Sequence, residues 1–497
     1  MHDPQKSHGL TVPMKPPNEV GRLTMEEGVE GKSPAKENTA EQNAPRTQCR
    51  TSAPSALDRV RKAARRDGKQ RFTALLHHVT VDRLRDAYLA LKRKAAAGVD
   101  GVTWDEYGQG LEARLVDLHG RVQRGAYRAK PSRRVYIPKP DGRQRPLGIA
   151  ALEDKIVQRA VVEVLNAIYE VDFLGFSYGF RPERSQHDAL DALATAITRK
   201  KVNWVLDADI RGFFDAISHG WMVKFIEHRI ADKRIVRLIQ KWLAAGVLEN
   251  EKWTATGEGT PQGATASPLL ANVYLHYALD QWVQHWRSHV AVGEMIIIRF
   301  ADDFVVGFQH ENDAARFRAD LQNRLGKFGL EMHPEKTRLI RFGRFADRDR
   351  RRLGEGKPET FDFLGFTHIC TKSREGQFRL IRRTSKKRMR IRLHAIREDL
   401  MRLRHQPLDV QGRWLGSVLR GYFAYHAVPM NIARLGSFRT EVIRSWQRAL
   451  CRRSQRDRTG WARACKLAER WLPRPRRLHP HPWVRFDAKI QGKNRVR

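Results

Sequence analysis

From Leu57 onward the apolar positions fall into helical periods interrupted by short extended runs. Leu152, Ile156, Ala160, Val164 and Ile168 recur every four residues, with Val157, Val161 and Leu165 beside them. Such a wide apolar stripe predicts a helix packed into a core. Ahead of it, an Asp-Gly turn in Val99-Asp100-Gly101-Val102-Thr103 is expected to separate helical from extended sequence. Two short extended runs around Pro140-Asp141-Gly142 predict a basic hairpin over residues 135–149. Trp204-Val205-Leu206-Asp207-Ala208-Asp209-Ile210 alternates, which puts Val205, Asp207 and Asp209 on one strand face and Leu206, Ala208 and Ile210 on the other. Two apolar runs of strand length, residues 295–300 and 304–308, flank Ala301-Asp302-Asp303 and predict a hairpin with adjacent acids at its tip. Ser267 as N-cap and Pro268 at the first helical position predict a helix start, and Leu270, Tyr274, Tyr277 and Ala278 give that helix an apolar face. Strands and helices alternate in this manner to about residue 368.

Composition changes the picture at both ends. Residues 1–56 are rich in Pro, Lys, Glu, Ser, Asn and Gln and poor in aliphatic side chains, so a disordered tail is expected. Over residues 371–497 there are 34 Lys and Arg against 8 Asp and Glu, so +26 of the net +38 lies in the last quarter of the chain. That concentration, with a pI near 10.7, favours a polyanionic partner such as nucleic acid. Trp414, Tyr422, Phe423, Tyr425, Trp446, Trp461, Trp471 and Trp483 are interleaved with those cations; core packing is the first expectation for them and base stacking the second. The longest aliphatic run, residues 295–298, is far short of the roughly 20 apolar residues that cross a bilayer, so no membrane partner is expected. The N-terminus shows no secretory or transit pattern, which predicts a cytoplasmic location. Cys49, Cys370, Cys451 and Cys465 are scattered without zinc-site spacing and predict inert thiols.

Three carboxylates carry the candidate chemistry. Asp209 sits at a predicted strand end before Arg211-Gly212-Phe213-Phe214-Asp215, a weak signal by itself. Adjacent Asp302 and Asp303 repel one another unless a cation neutralises them, so a pair between two strands suits a hard divalent ion. Acids contributed by two strands could hold two magnesium ions, one activating the attacking oxygen and both stabilising a leaving phosphate. The acids lie 93 and 94 residues apart along the chain, so only the fold can join them. Between them runs the Gly-rich loop Gly259-Thr260-Pro261-Gln262-Gly263, in which Gln262 can donate and accept hydrogen bonds.

Taken in order, these blocks resemble the reverse transcriptase family, and more closely the group II intron-encoded reverse transcriptase/maturase proteins. The resemblance covers about residues 57–450. It is carried by Ala97-Gly98-Val99-Asp100-Gly101-Val102, the basic hairpin, Ser177-Tyr178-Gly179-Phe180-Arg181-Pro182, the Asp207-to-Asp215 block and the Gly-rich loop. Phe300-Ala301-Asp302-Asp303, Gly329-Leu330-Glu331-Met332-His333-Pro334-Glu335-Lys336-Thr337 and Phe363-Leu364-Gly365-Phe366 complete the series. Trp414-Leu415-Gly416-Ser417-Val418-Leu419-Arg420-Gly421-Tyr422-Phe423-Ala424-Tyr425 resembles the maturase region.

The resemblance implies an α/β (α+β) right-hand polymerase fold, with fingers and an antiparallel palm sheet followed by an α-helical thumb/maturase domain. It implies RNA-directed DNA polymerase activity, with maturase function and retrohoming by target-primed reverse transcription. Asp209, Asp302 and Asp303 would be catalytic and hold two Mg2+ ions, with Mn2+ as a substitute. Lys139, Arg143 and Arg145 are candidates for the triphosphate, Phe214 for a gate against ribonucleotides, and Gln262 for contact with nucleotide and template. Asp207 and Asp215 are expected in supporting roles, and the turn at residues 333–336 is expected to shape the palm. Phe300 replaces the more usual Tyr and removes a hydroxyl near the primer end.

Arg382, Arg383, Lys386, Lys387, Arg420 and Tyr422 are the expected nucleic-acid contacts. The partners implied are group II intron RNA, template RNA, a DNA primer or target and deoxynucleotides, and a homodimer stays open. The domain plan is a tail at 1–56, reverse transcriptase at 57–368, thumb/maturase at 369–453 and a basic nucleic-acid-binding tail at 454–497. Some family members end in an endonuclease with Cys pairs; none are present here, so that domain is not expected. His479 and His481 read as a solvated loop. The rival readings are a splicing-only maturase with a vestigial polymerase, and a retron, diversity-generating or CRISPR-associated reverse transcriptase.

Overall fold

The computed structural model describes residues 56–138, 144–249, 252–254, 257–260, 263–453 and 459–490. β1 (Ser132–Pro138) and β2 (Gln144–Ile149) form the expected basic hairpin, with Val135 opposite Leu147. β3 is Trp204–Asp209, while β4 (Val247–Glu249) and β5 (Lys252–Thr254) extend the first sheet to the order β2-β1-β4-β5. β6 (Met295–Phe300), β7 (Asp303–Phe308) and β8 (Arg338–Arg341) join β3 in a wholly antiparallel sheet of order β6-β7-β3-β8. β9 (Phe361–Phe363), β10 (Phe366–Lys372) and β11 (Phe378–Thr384) make a third sheet, also antiparallel.

The β6-β7-β3-β8 sheet is covered on both sides. Leu206, Ala208, Ile297, Phe304 and Val306 face a large core shared with helices Leu152–Asp172 and Ser267–Leu275. Val205, Ile296, Ile298, Val305 and Ile340 face a second core beneath helix Gln186–Arg199 and β9–β10. Burial of both faces explains why β6 and β7 read as nearly unbroken apolar runs instead of an alternation. Helices Lys386–Arg402, Leu408–His426, Ile432–Cys451 and Trp461–Trp471 enclose a third core around Leu419, Phe438 and Trp446. Trp446 is buried and donates to Gln411 Oε1 at 2.8 Å, and Tyr422 stacks on Phe438 with ring centroids 3.7 Å apart. Core packing therefore accounts for these two aromatics, whereas Trp461 and Trp483 are exposed.

Several expectations are corrected. The sequence after the Asp100-Gly101 turn is helical, not extended, because Thr103 and Glu106 close a capping box that starts helix Trp104–Gly108. Ser267 is the first helical residue and not the N-cap, which is Ala266; the Ser267 hydroxyl pairs with Thr260 instead. The boundary expected at 368 falls inside β10, and the helical region begins at Lys386. The basic tail at 454–497 contains helices Trp461–Trp471 and Pro482–Ile490, the second tied to Arg199 through Asp487 at 2.8 Å. The N-terminal tail up to residue 55 lies outside the described residues. Among those described, no helix is long and apolar enough to cross a membrane. Cys370, Cys451 and Cys465 are free thiols, and Cys49 lies outside the described residues.

Candidate active site

The β3–β7 register sets Asp209 directly opposite Asp303, and the β6–β7 register sets Phe300 opposite Asp303. Side-chain alternation puts these three on the face that carries Val205, Val305 and Ile298 deeper in the sheet, so the β3 and β7 rows end in acids and the β6 row ends in Phe300. Asp302 occupies the turn, next to Ala301 at φ 56°. Arg299 pins that turn from behind and is fully buried. Its guanidinium donates to both Asp280 oxygens, to Ser177 Oγ at 2.7 Å, to Asn272 Oδ1 at 3.1 Å and to the Ala301 carbonyl at 2.9 Å. All five N–H donors are thus used, which is what a buried guanidinium needs. Gly179 lies against the same turn, where a Cβ would meet the Ala301 amide nitrogen at 2.2 Å.

Cations surround the acids. Lys336 forms an ion pair with Asp209, and Arg338 reaches Asp207 at 3.6 Å. Burial pushes the Asp207 carboxyl up to about 6 against the pull of Arg338. Burial also raises the Asp302 carboxyl above the usual carboxylate range; Asp209 adds to the effect, while Arg145 and Lys336 oppose it. Asp303 keeps one side open to solvent, yet crowding by protein, then by Asp302 and Asp209, pushes its carboxyl up to about 7. Unneutralised carboxylate charge of this kind, on hard oxygen donors, suits a divalent cation. The acids are nevertheless not closed around a point: among the described residues, no group of three His, Cys, Asp or Glu side chains is disposed to hold a metal ion. Asp209 would have to exchange Lys336 for one.

Of the other predicted contacts, Lys139, Arg143 and Gln262 lie outside the described residues. Arg145 is exposed on β2. Phe214 is half-buried edge-on to Phe213, and its carbonyl accepts from the Thr260 amide at 2.8 Å, which ties it to the Gly-rich loop. The far end of that loop is held where Gln158 Oε1 accepts from the Ala266 amide at 3.2 Å. Asp215 is exposed.

Arg383, Lys386, Lys387 and Arg420 are exposed, as a nucleic-acid surface requires. Arg382 is not: it is 4% exposed and bonded to Asp191 at 2.7 Å, because β11 alternation turns it inward. Tyr422 is half-buried in its stack on Phe438, which leaves it a packing residue. His479 stacks on His187 with centroids 3.9 Å apart and bonds the Ala424 carbonyl, so it is a docked residue and not a solvated one.

Sequence reasoning missed Lys336, Arg299, Asp280 and Asn272. Arg299 carried a usable signal, since a lone charge inside the apolar run of β6 must find a buried partner.

A family model described as reverse transcriptase (RNA-dependent DNA polymerase) matches residues 137–368. Protein YkfC of Escherichia coli K12 is 33% identical over 332 residues, covering 59% of this chain and 82% of that protein. The group II intron-encoded protein LtrA of Lactococcus lactis is 37% identical over 229 residues, 46% of this chain and 38% of LtrA. A 91 kDa protein in the cob intron of Schizosaccharomyces pombe is 35% identical over 208 residues, 41% of this chain and 25% of that protein. The chain belongs to the reverse transcriptase family. It spans most of YkfC but well under half the length of the two intron proteins.

Proposed function

We propose that the protein is an RNA-directed DNA polymerase that also assists the splicing and retrohoming of a group II intron. The observation that carries the reading is the pairing of Asp209 with Asp303 across two strands, with Asp302 next in the chain. In this reading the antiparallel sheet is the palm, the β1–β2 hairpin belongs to the fingers, and the C-terminal helices are the thumb and maturase region. A DNA primer 3′-hydroxyl attacks the α-phosphate of a deoxynucleotide, and pyrophosphate leaves.

Asp209, Asp302 and Asp303 would hold two Mg2+ ions, or Mn2+ in their place, which when bound activate the attacking oxygen and neutralise charge on the leaving phosphate. The chain's own residues do the rest. Arg145 on β2 supplies positive charge for the triphosphate, and Lys139 and Arg143, outside the described residues, are further candidates for the same contact. Phe214 crowds the position of a ribose 2′-hydroxyl, and Gln262 contacts nucleotide and template. Arg383, Lys386, Lys387 and Arg420 neutralise phosphates of the intron RNA, template and DNA target.

The expected result is that the purified protein extends a DNA primer on RNA with magnesium. Asp302→Ala should abolish extension and leave intron RNA binding nearly unchanged. A second reading, a splicing maturase with a silent polymerase, is favoured by the Lys336–Asp209 pair, in which a lysine occupies one of the three acids. A parent protein that promotes splicing and extends no primer would establish it instead.

A further inference from the structure

The helix that follows the Gly-rich loop changes pitch in its middle. Ser267–Leu275 and Gln281–His289 are α-helical, and the residues between them, His276–Asp280, form a π turn that keeps the helix continuous. Asn272 precedes that turn and Asp280 ends it. At 3.6 residues per turn, eight residues of α-helix overshoot two turns by about 80°, so a regular helix would point these two side chains in different directions. A π turn takes in one extra residue, and the eight then return to within about 20° of the starting face. Both side chains consequently accept from the one guanidinium of Arg299, Asp280 Oδ1 from Nε at 2.8 Å and Asn272 Oδ1 from Nη1 at 3.1 Å.

Stability alone does not account for this arrangement. Arg299 and Asp280 are both 0% exposed, and desolvation of such a pair offsets its attraction, so apolar side chains of similar size would fill the core as well. What apolar side chains would not do is hold a carbonyl. Arg299 donates to the Ala301 carbonyl at 2.9 Å, and Ala301 keeps a left-handed backbone at φ 56°, which persists only where the surroundings impose it. Asp302 and Asp303 come next in the chain. The guanidinium fork is planar and rigid, so fixing one side of it on Asp280 fixes the direction from which it grips the turn.

We propose that Asp280 is a positioning residue for the reaction. Set on the right face by the π turn, it orients Arg299, which aims the turn that carries Asp302 and Asp303. The inference rests on the polymerase reading above.

Asp280→Leu combined with Arg299→Met removes both charges at nearly constant volume, and its thermal midpoint should stay close to that of the parent. Its kcat for primer extension should fall about a hundredfold with KM for primer–template unchanged, because the acids are misplaced and the strand is not. Mn2+ should bind it about tenfold more weakly. A folded double variant that keeps the parental kcat or Mn2+ affinity overturns the positioning role and leaves the polymerase reading standing. Should the double variant not fold, Ser177→Ala decides: it takes one acceptor from the same guanidinium and should lower kcat about threefold with KM for primer–template unchanged. Parental kcat in Ser177→Ala would then overturn the role. A parent protein that extends no primer sinks the polymerase reading instead, and the Mn2+ affinities of parent and variant still test the aim of the acids.

Discussion

Lys336 holds the carboxylate of Asp209, the acid that faces Asp303 across the strand pair. The lysine comes from the turn before β8, so a residue read from sequence as part of a shaping turn is the internal counter-ion of the site. With Arg338 at Asp207 and Arg145 near Asp302, it lessens the mutual repulsion of the clustered acids.

Removing this counter-ion should help a divalent ion. Lys336 is about half exposed, so the pair is a modest competitor, and Lys336→Met should tighten Mn2+ binding about two- to fivefold. Calorimetric titration of parent and variant checks this. Unchanged or weaker binding would mean that Lys336 does not compete for Asp209.

Neighbouring cations of β11 and the following helix should separate into two kinds. Arg382→Ala leaves Asp191 buried with Arg485, at 3.4 Å, as its ion-pair partner among the described residues, and should cost about 3 kcal/mol of stability in denaturant unfolding. Arg383→Ala, Lys386→Ala and Lys387→Ala should leave stability unchanged. Each should weaken RNA binding and reduce the slope of log affinity against log salt by about one. Loss of RNA affinity from Arg382→Ala alone, with stability intact, would contradict the assignment.

Acid should loosen the junction between helix Gln186–Arg199, β10 and helix Leu408–His426. Burial is the largest cause of the depressed pKa at three histidines there: His187 falls to about 2, and His368 and His426 each to about 3. Below pH 6.5 these three rings bind protons in the unfolded chain and refuse them in the folded one, so their contribution to stability rises with pH up to about 6.5 and then levels, while the raised carboxyls of Asp207 and Asp303 act in the opposite sense. Each histidine removes about 1.4 kcal/mol per pH unit on the way down. The thermal midpoint of the parent should fall further between pH 6.5 and 4 than that of His187→Gln, because the raised carboxyls of Asp207 and Asp303 act alike in both. An equal fall in the two would show that the His187 ring reaches water.

Much of the site was legible because strand alternation and turn chemistry are local. Trp204-to-Asp209 and the two apolar runs around Ala301-Asp302-Asp303 folded as read, and the register then aligned Asp209 with Asp303. What stayed hidden depends on contacts distant in sequence. Asp280 and Asn272 gain meaning only when the fold sets them beside Arg299, and Lys336 only when its turn meets the end of β3. The misreading of Arg382 had a similar source: its charge is visible in sequence, but the face of β11 it occupies is fixed by pairing with β10. Short-range competition caused the errors at Thr103 and Ser267, where a capping box and a Thr260 contact decided the local structure.

Counting bound Mn2+ by electron paramagnetic resonance, with primer–template and deoxynucleotide present, decides whether Asp209, Asp302 and Asp303 form a metal centre. Two ions per chain are expected in the parent, with binding sharply reduced in Asp209→Ala, Asp302→Ala and Asp303→Ala. Equal Mn2+ occupancy in the parent and all three variants would contradict a metal centre built from these acids.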